Sequence, residues 1–98
     1  MHDGRLENRI ALVTGAGSGI GRAIAAALVK NGATVVASDI DLDLARATTE
    51  AIAGAHSFQL DVTSIESARN VVARVEAEVG HIEILANNAG VSTMAPIW

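Results

Sequence analysis

The sequence predicts an α/β chain built as one half of a doubly wound parallel sheet. Three observations carry this. Short runs rich in Val, Ile and Ala alternate with longer stretches of helical periodicity. A glycine-rich turn, Gly15 to Gly21, joins the first such run to the first such stretch. Half of the 98 residues are hydrophobic but only one Phe and one Trp are present, so the core must be aliphatic, as in parallel sheets covered by helices.

The elements follow in order. The run Ile10-Ala11-Leu12-Val13 with Thr14 is the first strand. A helix over about 20–31 follows, with Ile20, Ile24, Ala27 and Leu28 on one face. Gly32 stands where a helix end favours a left-handed residue. Residues 34–39 form the second strand. Asp41 is placed to cap a helix that runs to about residue 53 and stops at Gly54. A weaker third strand, Phe58-Gln59-Leu60, lies within 56–62. Thr63-Ser64-Ile65-Glu66 has capping-box spacing, with Thr63 as the cap. Ile65, Ala68, Val72, Val75 and Val79 then form an amphipathic stripe, ended by Gly80. Residues 82–87 are the fourth strand, followed by Asn88-Ala89-Gly90 and a loop.

The sum is β-α-β-α-β-α-β. Right-handed crossovers place the strands in the order 3-2-1-4. A full sheet of this kind uses about six strands. Residues 1–98 therefore read as the N-terminal half of a single domain, with strand four left as an uncovered apolar edge. The segment alone is expected to be marginal as a folded unit. Its end, Met94-Ala95-Pro96-Ile97-Trp98, is apolar where natural ends are usually polar, which reads as a truncated chain.

Composition excludes several classes. A net charge of −4 offers nothing to nucleic acid or an anionic membrane. With no cysteine there is no disulfide framework and no thiolate zinc site. His2, His56 and His81 are scattered without metal-ligand spacing. The polar start, Met1-His2-Asp3-Gly4-Arg5, is no signal peptide, and no apolar run approaches the roughly 20 residues of a membrane span. A cytoplasmic protein is expected.

The chemistry sits at the strand ends. A pyrophosphate needs close approach to backbone N–H groups and gains from the positive end of a helix. Gly15 would turn off the strand, Gly19 would let phosphates approach, and Gly21 would let the helix pack against the sheet; Ser18 and Ile20 would offer donors. The spacing is G-x-x-x-G-x-G. Positions 20 and 22 are Ile and Arg, which excludes G-x-G-x-x-G, and no Gly-Lys-Ser/Thr follows for a P-loop. Asp39, ending strand two, could accept both ribose hydroxyls of an adenosine and would repel a 2′-phosphate. Neither position 18 nor 40 is basic, so the reading is NAD over NADP. Alternatively Asp39 or Asp41 only caps the next helix; the two roles can coexist with Asp41 as cap. Asp61 and Val62 could hold adenine at the sheet edge, though an acid that caps or is solvated before Thr63 fits the spacing equally well. Asn87, Asn88, Ala89 and Gly90 suit a backbone passing close to a ribose, or an ordinary turn. Arg22, Glu76 and Glu78 read as solvated, and Ser92 and Thr93 have no assigned part.

Thr14-Gly15-x-x-x-Gly19-x-Gly21, Asp39, Asp61-Val62 and Asn87-Asn88-Ala89-Gly90, all in order from about residue 6 to 90, together resemble the short-chain dehydrogenase/reductase family, which has a Rossmann-like sheet. The resemblance implies that the glycine segment binds pyrophosphate, that Asp39 selects NAD, that Asp61-Val62 contacts adenine, and that the Asn-Asn-Ala-Gly segment supports the central sheet and the adenosine side. It implies a hydride transfer between nicotinamide and a small secondary alcohol or ketone, in a homo-oligomer. Family catalysis uses a serine, a Tyr-x-x-x-Lys pair and an asparagine, all farther along. This chain has no tyrosine and its only lysine is Lys30, so no residue here is assigned a catalytic role. The alternative is a free-standing NAD-binding module or remnant without catalysis; a third reading keeps the family but changes the reaction to an epimerase or dehydratase type.

Overall fold

The computed structural model describes residues 5–52 and 54–88. Its elements are β1 (Ile10–Thr14), α1 (Gly19–Lys30), β2 (Thr34–Asp39), α2 (Leu42–Glu50), β3 (His56–Gln59), α3 (Ile65–Glu78) and β4 (Ile82–Asn87). The strands pair in parallel in the order β3-β2-β1-β4. The expected topology and three of the four strand ranges are reproduced. β3 starts earlier than expected because His56 and Ser57 pair with Val36 and Ala37, while Leu60 adds one further bond through its N–H to the Asp39 carbonyl.

Apolar side chains leave both faces of the sheet, so two cores form. On one face Val13, Val35 and Ala37 pack with Ala16 and Ala25 against Ile24 and Leu28 of α1. On the other, Leu12, Val36, Phe58 and Leu60 pack against Val71 and Val75 of α3. The strand order reverses between β1 and β4. A crevice therefore opens beyond their carboxyl ends, the usual place for a ligand in such a sheet.

The helices differ from expectation in detail. Val71 and Val75 are the buried pair of α3, whereas Ile65 and Val72 are exposed. Of the expected stripe, Val75 is buried and Ala68 and Val79 pack half-buried on the same core, while Ile65 and Val72 face out and Val71 joins the inward face. On α1, Gly21 and Ala25 are buried while Ile20 and Ala27 are exposed, because the helix lies so close to β1 and its following loop that only small residues fit. The cap of α3 is Ser64, not Thr63. Both the amide and the hydroxyl of Thr63 donate to Asp61 Oδ1, so Ser64 Oγ is left to accept the Ser67 N–H. α2 ends at Glu50 rather than near 53, since Ala51 and Ile52 donate to the carbonyls of Thr48 and Thr49 and tighten the last turn.

Candidate functional site

β1 delivers Thr14 to the crevice, fully buried, and there the chain turns. Gly15 takes φ +63°, a left-handed conformation that glycine adopts at no steric cost. The loop closes on itself through Ser18. This residue caps α1: its hydroxyl accepts the Gly21 N–H at 3.0 Å and donates to the Gly15 carbonyl at 3.0 Å. The Ser18 hydroxyl proton is thus directed into the loop, and not outward as expected.

The two later glycines do different work. A Cβ on Gly21 would run into the Gly15 carbonyl oxygen and the Ala16 Cα, so Gly21 lets α1 lie on the loop itself. A Cβ on Gly19 would meet nothing within 4 Å. Above Gly19 the first turn of α1 therefore opens to solvent, with no acidic residue in that turn to repel an anion. Ile20 beside it is exposed. This open cradle at a helix N-terminus fits a pyrophosphate.

Asp39 ends β2 on the same side. Its Oδ2 accepts the Gly17 N–H and its Oδ1 accepts the Asp41 N–H, both at 3.0 Å. Asp41 in turn caps α2, accepting from Asp43 and Leu44. The division of labour left open by the sequence is settled in this respect: Asp41 is the cap, and Asp39 reaches across to the glycine loop. The flanking Ile40 is exposed and apolar.

The end of β4 is tied to the same loop. The Thr14 hydroxyl donates to Asn87 Oδ1 at 2.8 Å and accepts the Asn88 N–H at 3.0 Å. Asn88 Nδ2 reaches the Gly15 carbonyl at 3.2 Å and Ser18 Oγ at 3.0 Å. Asn87 Nδ2 is buried and has no partner among the described residues. Ala89 and Gly90, expected in the same site, lie outside the described residues, as do Ser92, Thr93 and His2.

Asp61 follows β3 and closes a turn. The Thr63 hydroxyl, and then the Thr63 N–H, hold its carboxyl below the usual carboxylate range. Asp61 thus accepts from the residue two places on, while the cap of α3 is Ser64. Val62 is half-buried against the α3 core.

Two residues with no sequence signal join this site. Gly17 supplies the amide that holds Asp39. Thr48, on α2 and buried, donates its hydroxyl to the Ala16 carbonyl at 2.7 Å and ties α2 to the loop. Asn88, read as part of a turn, turns out to fasten β4 to that loop. Glu76 is exposed, as expected of a solvated acid, but it is not without partners. It accepts the Ile82 N–H at 2.9 Å and faces His81, and these bonds hold its carboxyl below the usual range. Glu78 pairs with Arg74 on the surface. Among the described residues there is no cluster of His, Cys, Asp or Glu that could hold a metal, and no helix is long and apolar enough to cross a membrane. An apolar groove of about 660 Å³ between α1 and the turn after α2, lined by Ala23, Ala26 and Ile52, lies away from these polar groups.

Comparison with known proteins places this arrangement. The family model described as short chain dehydrogenase matches residues 9–98. The chain is 48% identical to galactitol 2-dehydrogenase of Agrobacterium fabrum, over 95% of its own length and 37% of the relative's. It is 46% identical to sorbitol dehydrogenase of Cereibacter sphaeroides, again over 95% of its length and 37% of that protein. A solved structure described as ribose-5-phosphate isomerase from Brucella melitensis 16M superposes with a TM-score of 0.81 at 41% identity, covering 87% of this chain and 33% of that one. The chain thus spans a little over a third of the curated relatives it matches. With a family model covering residues 9–98 and the sheet order and glycine turn in agreement, the chain belongs to the short chain dehydrogenase family.

Proposed function

We propose that this chain is the first half of a single NAD-binding domain, in an enzyme that moves a hydride between nicotinamide and a secondary alcohol or ketone of a small polyol or sugar. The observation that carries the NAD reading is the Asp39 carboxylate, held at both oxygens beside the open turn at Gly19. A carboxylate there suits two neighbouring ribose hydroxyls and opposes a 2′-phosphate. No basic side chain stands at position 18 or 40 to offset that opposition.

In this reading Gly15, Ser18, Gly19, Ile20 and Gly21 form the pyrophosphate cradle, Asp39 holds the adenosine ribose, and Asp61 with Val62 borders the adenine. Asn87 borders the far side of the crevice, and Ala89 and Gly90, outside the described residues, belong to the same cofactor-binding segment in this proposal. The nicotinamide of the bound cofactor supplies the hydride chemistry. The residues of this chain bind and orient the adenosine half, and none of them is assigned a proton transfer.

The polyol class rests on the galactitol and sorbitol dehydrogenases among the similar proteins. The superposed isomerase shows why fold alone does not decide the reaction. The test is Asp39→Ala with a basic residue introduced at position 40. Calorimetric titration should show NAD weakened by about tenfold or more and NADP admitted. Unchanged preference would remove the NAD assignment.

A further inference from the structure

We propose that Gly17 is the positioning residue of the ribose reader: its amide aims the Asp39 carboxylate, and its lack of a side chain keeps that carboxylate and α2 within reach. The inference rests on the reading of Asp39 as the group that selects NAD, and it extends that reading to a residue outside the three glycines of the motif.

An aspartate at the end of a strand ordinarily samples several rotamers. Here Oδ1 is held from the turn after β2, by the Asp41 N–H, and Oδ2 from the loop after β1, by the Gly17 N–H. The two anchors come from different elements, so the carboxylate plane is fixed relative to both. A carboxylate has about four acceptor sites. Two are taken by these amides, and the remaining two match the two hydroxyls of one ribose. Fixing also makes the acid a discriminator. A carboxylate free to swing aside would let a 2′-phosphate pass; one clamped at both oxygens cannot retreat.

Position 17 requires glycine for contact, not for conformation. Gly17 is absent from the glycines with positive φ, which among the described residues are Gly15, Gly32, Gly54 and Gly80. Yet a Cβ there would collide with Leu44 Cβ, come within 3.0 Å of Asp39 Oδ2 and within 3.2 Å of the Leu44 carbonyl carbon. The Leu44 atoms belong to the first turn of α2. That helix cannot simply move away, because Thr48 holds it to the Ala16 carbonyl. A methyl group at position 17 must therefore push the loop off α2 and part the Gly17 amide from Asp39.

The experiment measures binding of NAD and of NADP separately, by calorimetry, in the full-length protein carrying Gly17→Ala, Thr48→Val or Asp39→Ala. Gly17→Ala should weaken NAD about tenfold and change NADP by less than about threefold, so that the preference itself falls. Thr48→Val loosens the same loop but leaves the Asp39 bonds in place, and should lower both affinities by similar factors. Equal losses of NAD and NADP in Gly17→Ala would make Gly17 merely structural and overturn the proposal. If Gly17→Ala fails to fold, the amide resonance of Gly17 in protein labelled at glycine nitrogen decides. It should move upfield in Asp39→Ala, and an unmoved resonance overturns the proposal. Asp39→Ala also separates the two levels of inference. If it leaves the NAD preference intact, the underlying ribose reading fails; if it abolishes the preference while Gly17→Ala preserves it, only the role of Gly17 fails.

Discussion

β2 and β4 flank the same strand, pair with it in the same parallel sense, and are finished differently. β2 is buried from Val35 to Ser38 and ends in a carboxylate with both oxygens engaged. β4 is nearly as apolar, yet alternates between half-buried and exposed, with Leu85 37% exposed. It ends in an asparagine whose buried amide nitrogen has no partner among the described residues. Ile65 and Val72 of α3 are exposed as well. Composition is therefore not what makes a rigid site. The β2 flank is rigid because α1, α2 and the glycine loop all bear on it, through Ala25, Thr48 and Gly17. The β4 flank has the residues of an interior strand and the surroundings of an edge.

The largest effect is expected where the first flank is tightest. A glycine in a helix normally gains up to about 1 kcal/mol when replaced by alanine. At Gly21 the new Cβ would instead meet the Gly15 carbonyl and the Ala16 backbone, neither of which is the end of a flexible side chain. Gly21→Ala should therefore destabilise the full-length protein by about 3 kcal/mol, read from urea unfolding. A neutral or stabilising result would mean that the loop yields, and the contrast between the flanks would fail.

Much of this was legible in the sequence because it rests on local patterns. The runs at 10–14, 34–39 and 82–87 are apolar and bounded by turn residues, and they form the strands they predict. The glycine turn and Asp39 identify themselves by spacing. Gly17 and Thr48 do not. Their roles come from contacts between β1's loop and α2, which no spacing along the chain records. The stripe on α3 holds for Ala68, Val75 and Val79 and misleads at Ile65 and Val72, for a related reason. Ile65 and Val72 satisfy helical periodicity as well as Val71 does, and only the position of the sheet decides which edge of the stripe turns inward. The cap moved from Thr63 to Ser64 because Asp61 competes for Thr63, a choice between two hydrogen bonds of similar strength.

Two residues of the α3 stripe give a sharper form of the comparison. Val75 is fully buried against Leu12, Val36 and Phe58, and Val72, three residues earlier, is 38% exposed. Val75→Ala should cost about 2 kcal/mol through lost burial and the cavity left behind. Val72→Ala should fall within about 0.5 kcal/mol. Urea midpoints of the two variants in the full-length protein make the test. Comparable losses would show that the Val72 face is covered there, and the β4 flank would then be as finished as its counterpart.

The smallest effect compares one exposed carboxylate from each flank. Asp61 after β3 is held below its usual range by the Thr63 hydroxyl and then by the Thr63 N–H; Glu76 before β4 is held below its own by the Ile82 N–H and then by His81. A depressed folded-state value means that the folded protein binds fewer protons than the unfolded one across this window, so stability rises with pH. The contribution is complete above the unfolded-state value and is lost as pH falls through the lower folded-state value. Thr63→Ala removes the largest of the contacts on Asp61 and leaves Glu76 untouched. The difference in urea midpoint between the unsubstituted protein and Thr63→Ala should be constant above about pH 5 and should shrink below about pH 4. Solvent screening keeps it small, so the informative quantity is its closure with acid and not its size. A difference that persists unchanged at low pH would mean that Thr63 acts through packing, and the turn after β3 would owe nothing to the charge of Asp61.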